Sequence, residues 1–255
     1  MKTFSNSGNL GDLIYSLAVV KHYGRGGYFV KLNNIPNVIQ KYGNGGVPPE
    51  YVGKLSQKDF GLLKPLLEAQ EYINSVAVYD EQTHKIDVDL DEFRGVIHSK
   101  YKGNFLGAFY TTFNIPFTDA DLIKPWLTVP NPKRVAKFVV ARSPRWRSAA
   151  PNTNNIWMNL IMTNRLTTDG VFVGLPQEHE DFKNTFGVDI PYYPVKDFLE
   201  LAQVIAGADG FLSNQTFTYS IAQGLGKETV LETFSARRTL QENECFFNRP
   251  GCFYF

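Results

Sequence analysis

Between residues 136 and 232 short apolar runs alternate with longer amphipathic stretches, and this alternation restricts the available folds more than any other feature. Residues 136–141 (AKFVVA) form a continuous apolar run bounded by charge, the pattern of a strand covered on both faces. Helical periodicity follows over about 156–164, then a second buried strand at 170–175 and a helix at 178–186. The order continues with a helix at 197–206, a strand at 210–212, a helix at 216–224 and a strand at 229–232. Strands separated by helices pair in parallel, because the crossover must return the chain to the same end of the sheet. A parallel sheet with helices on both faces is expected.

The first half repeats the theme less regularly. A strand at 2–5 precedes a helix at 12–22 that sets Leu13, Leu17 and Val20 on one face and stops at Gly24. A strand at 27–32 leads to 33–54, which is rich in Gly, Pro and Asn and reads as an irregular excursion. Helical spacing returns over 57–72 despite Pro65, a strand follows at 75–79, and an aromatic-rich helical stretch beyond Tyr101 ends at Asn114-Ile115-Pro116. Val129-Pro130-Asn131-Pro132-Lys133-Arg134 is a stiff polar break. It divides the chain into domains at 1–128 and 135–235, with a tail at 236–255. The tail carries Phe246, Phe247, Phe253, Tyr254 and Phe255, and so many aromatics are expected to pack back onto the body. A length of 255 residues with 43% hydrophobic content is enough to bury the core this requires.

Two distant segments place small polar residues and a helix start just after a strand. One is Ser7-Gly8-Asn9-Leu10-Gly11-Asp12, which runs into the first helix; the other lies within 197–232 and contains Ser213-Asn214-Gln215-Thr216. Open parallel sheets bind ligands beyond the carboxyl ends of their strands, and helix N-termini favour anions. A ligand with a phosphate end and a reacting end is expected. The near-balance of 26 Lys+Arg and 25 Asp+Glu excludes a global field for nucleic acid or membrane. Cys245 and Cys252 form no disulfide framework, and His22, His84, His98 and His179 have neither metal nor triad spacing. His179 reads as a solvated surface residue. No apolar run approaches the ~20 residues of a membrane span, and no signal peptide is readable after Met1-Lys2. A reducing, cytoplasmic setting is the expectation.

SGNLGDLIYSLAVVKHYG resembles the opening of the ADP-heptose heptosyltransferases. GVFVGLPQEHEDF and LAQVIAGADGFLSNQTFTYSIAQGLGKETVLE are similar to the donor-binding half of the same glycosyltransferase group, family 9. The resemblance implies the GT-B architecture, two Rossmann-like parallel-sheet domains facing a cleft, with acceptor on the first and nucleotide-sugar donor on the second. It also implies inversion at the anomeric carbon, no required metal and no further cofactor.

On that resemblance Asp12 is the general base, with Gly8, Asn9 and Gly11 shaping its loop at the acceptor. An inverting transfer needs one base to take the acceptor's proton. Asp12 equally suits a cap on a helix starting at Leu13. Arg142, Arg145 and Arg147 follow a strand end, where guanidinium groups pair with phosphate oxygens; the other reading is a solvated basic loop. Arg142, nearest the strand, is expected to point at the ligand. Glu178 aligns with a glutamate that accepts hydrogen bonds from the donor ribose, or is a first-turn helix acid. Ser213, Asn214, Gln215 and Thr216 either cap the next helix, bind the diphosphate, or do both.

The chain departs from the family where an acid-Thr-Gly-x-x-His pattern is common: Gln215 stands for the acid, Ser220 for the histidine, and no glycine follows Thr216. Heptose specificity is therefore open. The acceptor is a glycan, a small metabolite or a modified nucleobase. Two other readings are a catalytically silent sugar-nucleotide-binding protein and another nucleotide-dependent enzyme such as an NAD-type oxidoreductase. The second lacks the G-x-G-x-x-G fingerprint.

Overall fold

A computed structural model describes residues 1–33, 55–97, 103–234 and 247–255. The excursion expected beyond Asn33, together with His98, Cys245 and Phe246, lies outside the described residues. The chain divides into two compact units, Met1–Thr128 and Val129–Phe255. Both are parallel α/β units, as the strand–helix alternation and the family resemblance imply.

The first unit holds β1 (Lys2–Asn6), β2 (Gly26–Val30), β3 (Ile73–Val78) and β4 (Val88–Asp89), all parallel, in the order β3-β2-β1-β4. Its main helices are α1 (Leu10–Tyr23), α2 (Gln57–Glu68) and α3 (Phe105–Thr112). Helix α1 begins two residues earlier than its apolar spacing suggests. Asn9 is the N-cap, and Asp12, in the first turn, accepts the Asn9 N–H at 3.0 Å. Residues Asp12 to Val20 of α1 are all buried, not the single face expected. Part of the reason is α3 on the far side, where Phe105 stacks on Tyr15 at 5.1 Å; Trp126 adds an indole N–H to the Ile14 carbonyl at 2.8 Å. The path from β3 to β4 returns to the opposite side of β1, so strand order reverses between β1 and β4.

The second unit has β5 (Phe138–Ala141), β6 (Gly170–Phe172), β7 (Gly210–Asn214), β8 (Thr229–Glu232) and β9 (Cys252–Tyr254), parallel in the order β6-β5-β7-β8-β9. Helices α4 (Thr153–Thr163), α5 (Pro176–Phe186), α6 (Phe198–Gly207) and α7 (Phe217–Gly224) connect them. Here the reversal falls between β5 and β7. Trp157, Phe172, Phe182 and Ile190 are fully buried in one cluster with Val140 and Leu212. Each such Phe or Ile contributes roughly 1.5–3 kcal/mol by leaving water.

Two segments behave differently from their sequence reading. The proline-rich break at 129–134 is attached to α6: Lys133 N–H donates to Gln203 O at 2.9 Å, and Gln203 Nε2 donates to Pro130 O at 2.8 Å. Gly207 permits this, since a Cβ there would lie 2.4 Å from the Lys133 backbone. The tail supplies a fifth strand, β9, that its aromatic content did not announce. Phe247 is buried, and Phe255 meets Trp157 edge-on at 6.0 Å. Phe253 and Tyr254, in contrast, are 66% and 38% exposed; as consecutive strand residues they point to opposite faces, so neither face of β9 is fully covered at the sheet edge.

Candidate active site

In the first unit the reversal point carries a dense polar cluster. The Ser7 N–H and hydroxyl, just past β1, donate to Asp91 at 2.9 and 2.7 Å. Lys31, just past β2, bridges Asp89 at 2.9 Å and Asp91 at 3.3 Å. Burial pushes the Asp91 carboxyl above its ordinary range, against the opposing pull of Ser7 and Lys31. Burial alone would lower the Lys31 ammonium; the two carboxylates outweigh it and hold Lys31 above its usual value. Beneath them the Ser16 hydroxyl donates to Leu13 O at 2.8 Å and lies 2.9 Å from the Tyr28 hydroxyl. Burial raises the Tyr28 phenol well beyond its normal range, so it remains a donor.

Asp12 stands at the edge of this cluster, 8% exposed. Its Oδ2 accepts the Asn9 N–H and pairs with Arg94, from the helical turn Arg94–Ile97 that follows β4. Gly8 lies against the same carboxylate: a Cβ there would be 2.6 Å from Asp12 Cβ and 2.7 Å from Oδ2. The Gly8 N–H donates to Asn6 Oδ1 at 2.7 Å, which shapes the loop. Gly11, expected in the loop, belongs to the first turn of α1 because Asn9 starts the helix early.

In the second unit the loops after β5 and β7 are joined by Asn214. Its Oδ1 accepts the Ser143 N–H at 3.0 Å and its Nδ2 donates to Ser143 O at 2.7 Å. Ser213 and Asn214 are buried at the end of β7, and Thr216 is the N-cap residue of α7. The Thr216 hydroxyl sits 3.1 Å from that of Ser213 and 2.7 Å from that of Thr218. Gln215 Oε1 accepts the Phe234 N–H at 2.7 Å. The Ser220 hydroxyl donates to Phe217 O at 2.6 Å.

Arg142 is the main correction. Instead of pointing at a ligand, its guanidinium is buried in a two-pronged pair with Glu232, Nε to Oε2 at 2.5 Å and Nη2 to Oε1 at 3.0 Å. Glu232 also accepts the Ser148 N–H and the Trp157 indole N–H, both at 2.7 Å. Arg142 therefore ties the 142–148 loop to β8. Arg145 is exposed with its guanidinium 4.9 Å from the Trp146 ring centre, and Arg147 pairs with Asp181 of α5.

Glu178 repeats the local arrangement of Asp12. It lies in the first turn of α5 and accepts the Leu175 N–H at 3.0 Å, while a Cβ on Gly174 would lie 2.8 Å from its Oε2. Burial, and after it the Glu178 charge, raises the Tyr192 phenol. His179 is not the surface residue expected: it is buried, with Nε2 2.7 Å from Ile190 O and its ring stacked on Tyr192. Its spacing with Phe182 and Phe186 on one helix face was the available signal. Sequence reasoning also passed over Arg94, Asp91, Lys31 and Glu232.

No described helix is long and apolar enough to cross a membrane, and no described group of three His, Cys, Asp or Glu could hold a metal ion. No protein-family model and no curated protein sequence matches the chain. Solved structures do match in fold. A glycosyl transferase family 9 protein from Veillonella parvula DSM 2008 aligns with TM-score 0.59 at 10% identity, over 99% of this chain and 84% of that one. The E. coli heptosyltransferase WaaC with ADP aligns at 0.50 and 12% identity, over 100% and 92%. E. coli ADP-heptose lps heptosyltransferase II aligns at 0.51 and 9% identity, over 100% and 90%.

Proposed function

We propose that this chain is a metal-independent, inverting glycosyltransferase that moves a sugar from a nucleotide-sugar donor to an acceptor hydroxyl, with Asp12 as general base. The observation that carries the reading is the position of Asp12. It is a partly buried carboxylate at the reversal point of a parallel sheet, where such sheets bind ligands, in a chain whose fold follows a family 9 glycosyl transferase over 99% of its length.

In the proposed reaction Asp12 takes the proton of the acceptor hydroxyl as its oxygen bonds to the anomeric carbon. The bond from that carbon to the diphosphate breaks on the opposite face, and the nucleoside diphosphate leaves with the bonding pair. Its growing charge needs donors already aimed at it. Arg145, Arg147, Thr216 and the start of α7 are the groups assigned to it, and Glu178 accepts from the ribose hydroxyls. Arg142 is left out of this set because it is buried with Nε and Nη2 held by Glu232, whereas the pair of Arg147 with Asp181 is part-exposed and can open to a ligand. The first unit is assigned the acceptor and the second the donor. An adenine nucleotide sugar is the first donor to try, because the structural neighbours carry ADP or ADP-heptose in their names.

A thermal-shift titration with ADP and other nucleoside diphosphates in EDTA tests the donor site. A diphosphate at a hundred times its dissociation constant should stabilise the protein by about 2.7 kcal/mol, without magnesium. No shift with any nucleoside diphosphate, with or without metal, would contradict the reading. A silent nucleotide-sugar-binding protein is the second reading. It is favoured by Gln215 and Ser220, whose side chains are engaged by Phe234 and Phe217 where the family carries an acid and a histidine. That reading gives the same thermal shift with no turnover.

A further inference from the structure

Among the described residues two arginine–carboxylate pairs, Arg142–Glu232 and Arg94–Asp12, are buried or nearly buried, and they are built differently. In Arg142–Glu232 the Nε/Nη2 edge of the guanidinium grips both carboxylate oxygens. In Arg94–Asp12 only Nη2 is engaged, and it reaches only Oδ2; Arg94 Nε is buried without a hydrogen-bond partner. Asp12 Oδ2 also takes the Asn9 N–H and is walled by Gly8, where no Cβ could fit. Asp12 Oδ1 accepts no hydrogen bond from any described residue. The carboxylate is therefore held by one oxygen from three sides, while the other oxygen keeps its lone pairs.

We infer that Arg94 is a positioning residue for the transfer reaction, fixing Asp12 through Oδ2 so that Oδ1 is the oxygen that receives the acceptor proton. The inference rests on the reading of Asp12 as the base and adds a residue to it. A base anchored through one oxygen meets the geometric demand of proton transfer, which needs the accepting atom within hydrogen-bond reach and correctly aimed. The pairing also explains why a carboxylate that already caps a helix needs a second donor. The Asn9 N–H alone leaves the carboxyl plane free to turn about that one bond.

A double-mutant cycle on nucleotide-sugar hydrolysis tests it. The probes are ADP-heptose, ADP-glucose, UDP-glucose and GDP-mannose, with release of the nucleoside diphosphate followed. Arg94→Met should lower kcat at least tenfold with KM for the nucleotide sugar nearly unchanged, and Arg94→Lys should recover part of the loss. In an Asp12→Asn background, Arg94→Met should cost nothing further, because its effect passes through Asp12. Guanidinium ion at tens of millimolar should partly rescue an Arg94→Ala variant, which a purely structural role would not allow. An equal loss from Arg94→Met in both backgrounds, or wild-type kcat in that variant while Asp12→Asn is inactive, overturns the inference and leaves the base intact. Wild-type kcat in Asp12→Asn, or a wild-type protein silent toward all four probes, removes the base and the inference together. Should Arg94→Met not fold, the cycle run with Arg94→Lys decides by the same criterion of additivity.

Discussion

Asp12 and Glu178 show how little separates a structural acid from a functional one at the level of a single residue. Both sit in the first turn of a helix after a strand, both accept the N–H of the N-cap residue, and both lie against a glycine whose missing Cβ makes room. The sequence placed both acids at helix starts, and it offered capping and ligand binding as alternatives. The structure fulfils the first without excluding the second. Arg142 is different, because Glu232 takes its Nε and Nη2 in a buried pair. Removing one member of a buried ion pair strands the other charge, at a cost of about 3–5 kcal/mol. Urea denaturation of Arg142→Met should register a loss of that size. A variant within about 1 kcal/mol of wild type that loses nucleotide affinity would return Arg142 to the phosphates. Neither Arg94 nor Glu232 was legible: one follows a two-residue strand with no periodicity of its own, the other ends an apolar run with nothing to mark its partner.

Elements were legible where an apolar run or a helical period was long enough to read and obscure where it was not. Strands β5 and β8 and helix α7 follow directly from their apolar runs. The edge strands β4 and β9 do not, since two or three residues at a sheet margin carry no alternation to read. The break at 129–134 shows the same limit. Its prolines mark a boundary, yet its attachment to α6 depends on Gln203, Glu200 and Gly207, some seventy residues away. Lys133 holds the Glu200 carboxyl down to about 2, with help from the Lys196 N–H. A carboxyl lowered in the folded state adds stability above its unfolded value near 4.5, and that stability is lost as pH falls toward 2. Lys133→Met should accordingly melt below wild type at pH 7, with the gap closing near pH 2. A gap that stays constant across that window would show that the pair contributes packing alone.

For the whole molecule, two parallel units, each with a reversal point flanked by helix starts, reproduce the fold class implied by the opening GNLGD segment and the residues from 170 to 232. Identity of 9–12% with the structural neighbours explains why motifs rather than overall similarity carried the sequence reading. The central claim is that this fold performs sugar transfer through Asp12, and nucleoside diphosphate release from the four nucleotide sugars by wild type and Asp12→Asn tests it most directly. Asn retains an oxygen for the Asn9 N–H, so the variant should stay folded and should bind the nucleotide sugar as wild type does. Turnover should fall roughly a hundredfold or more, the scale of general-base removal. Equal turnover by the two proteins at equal saturation would contradict the account.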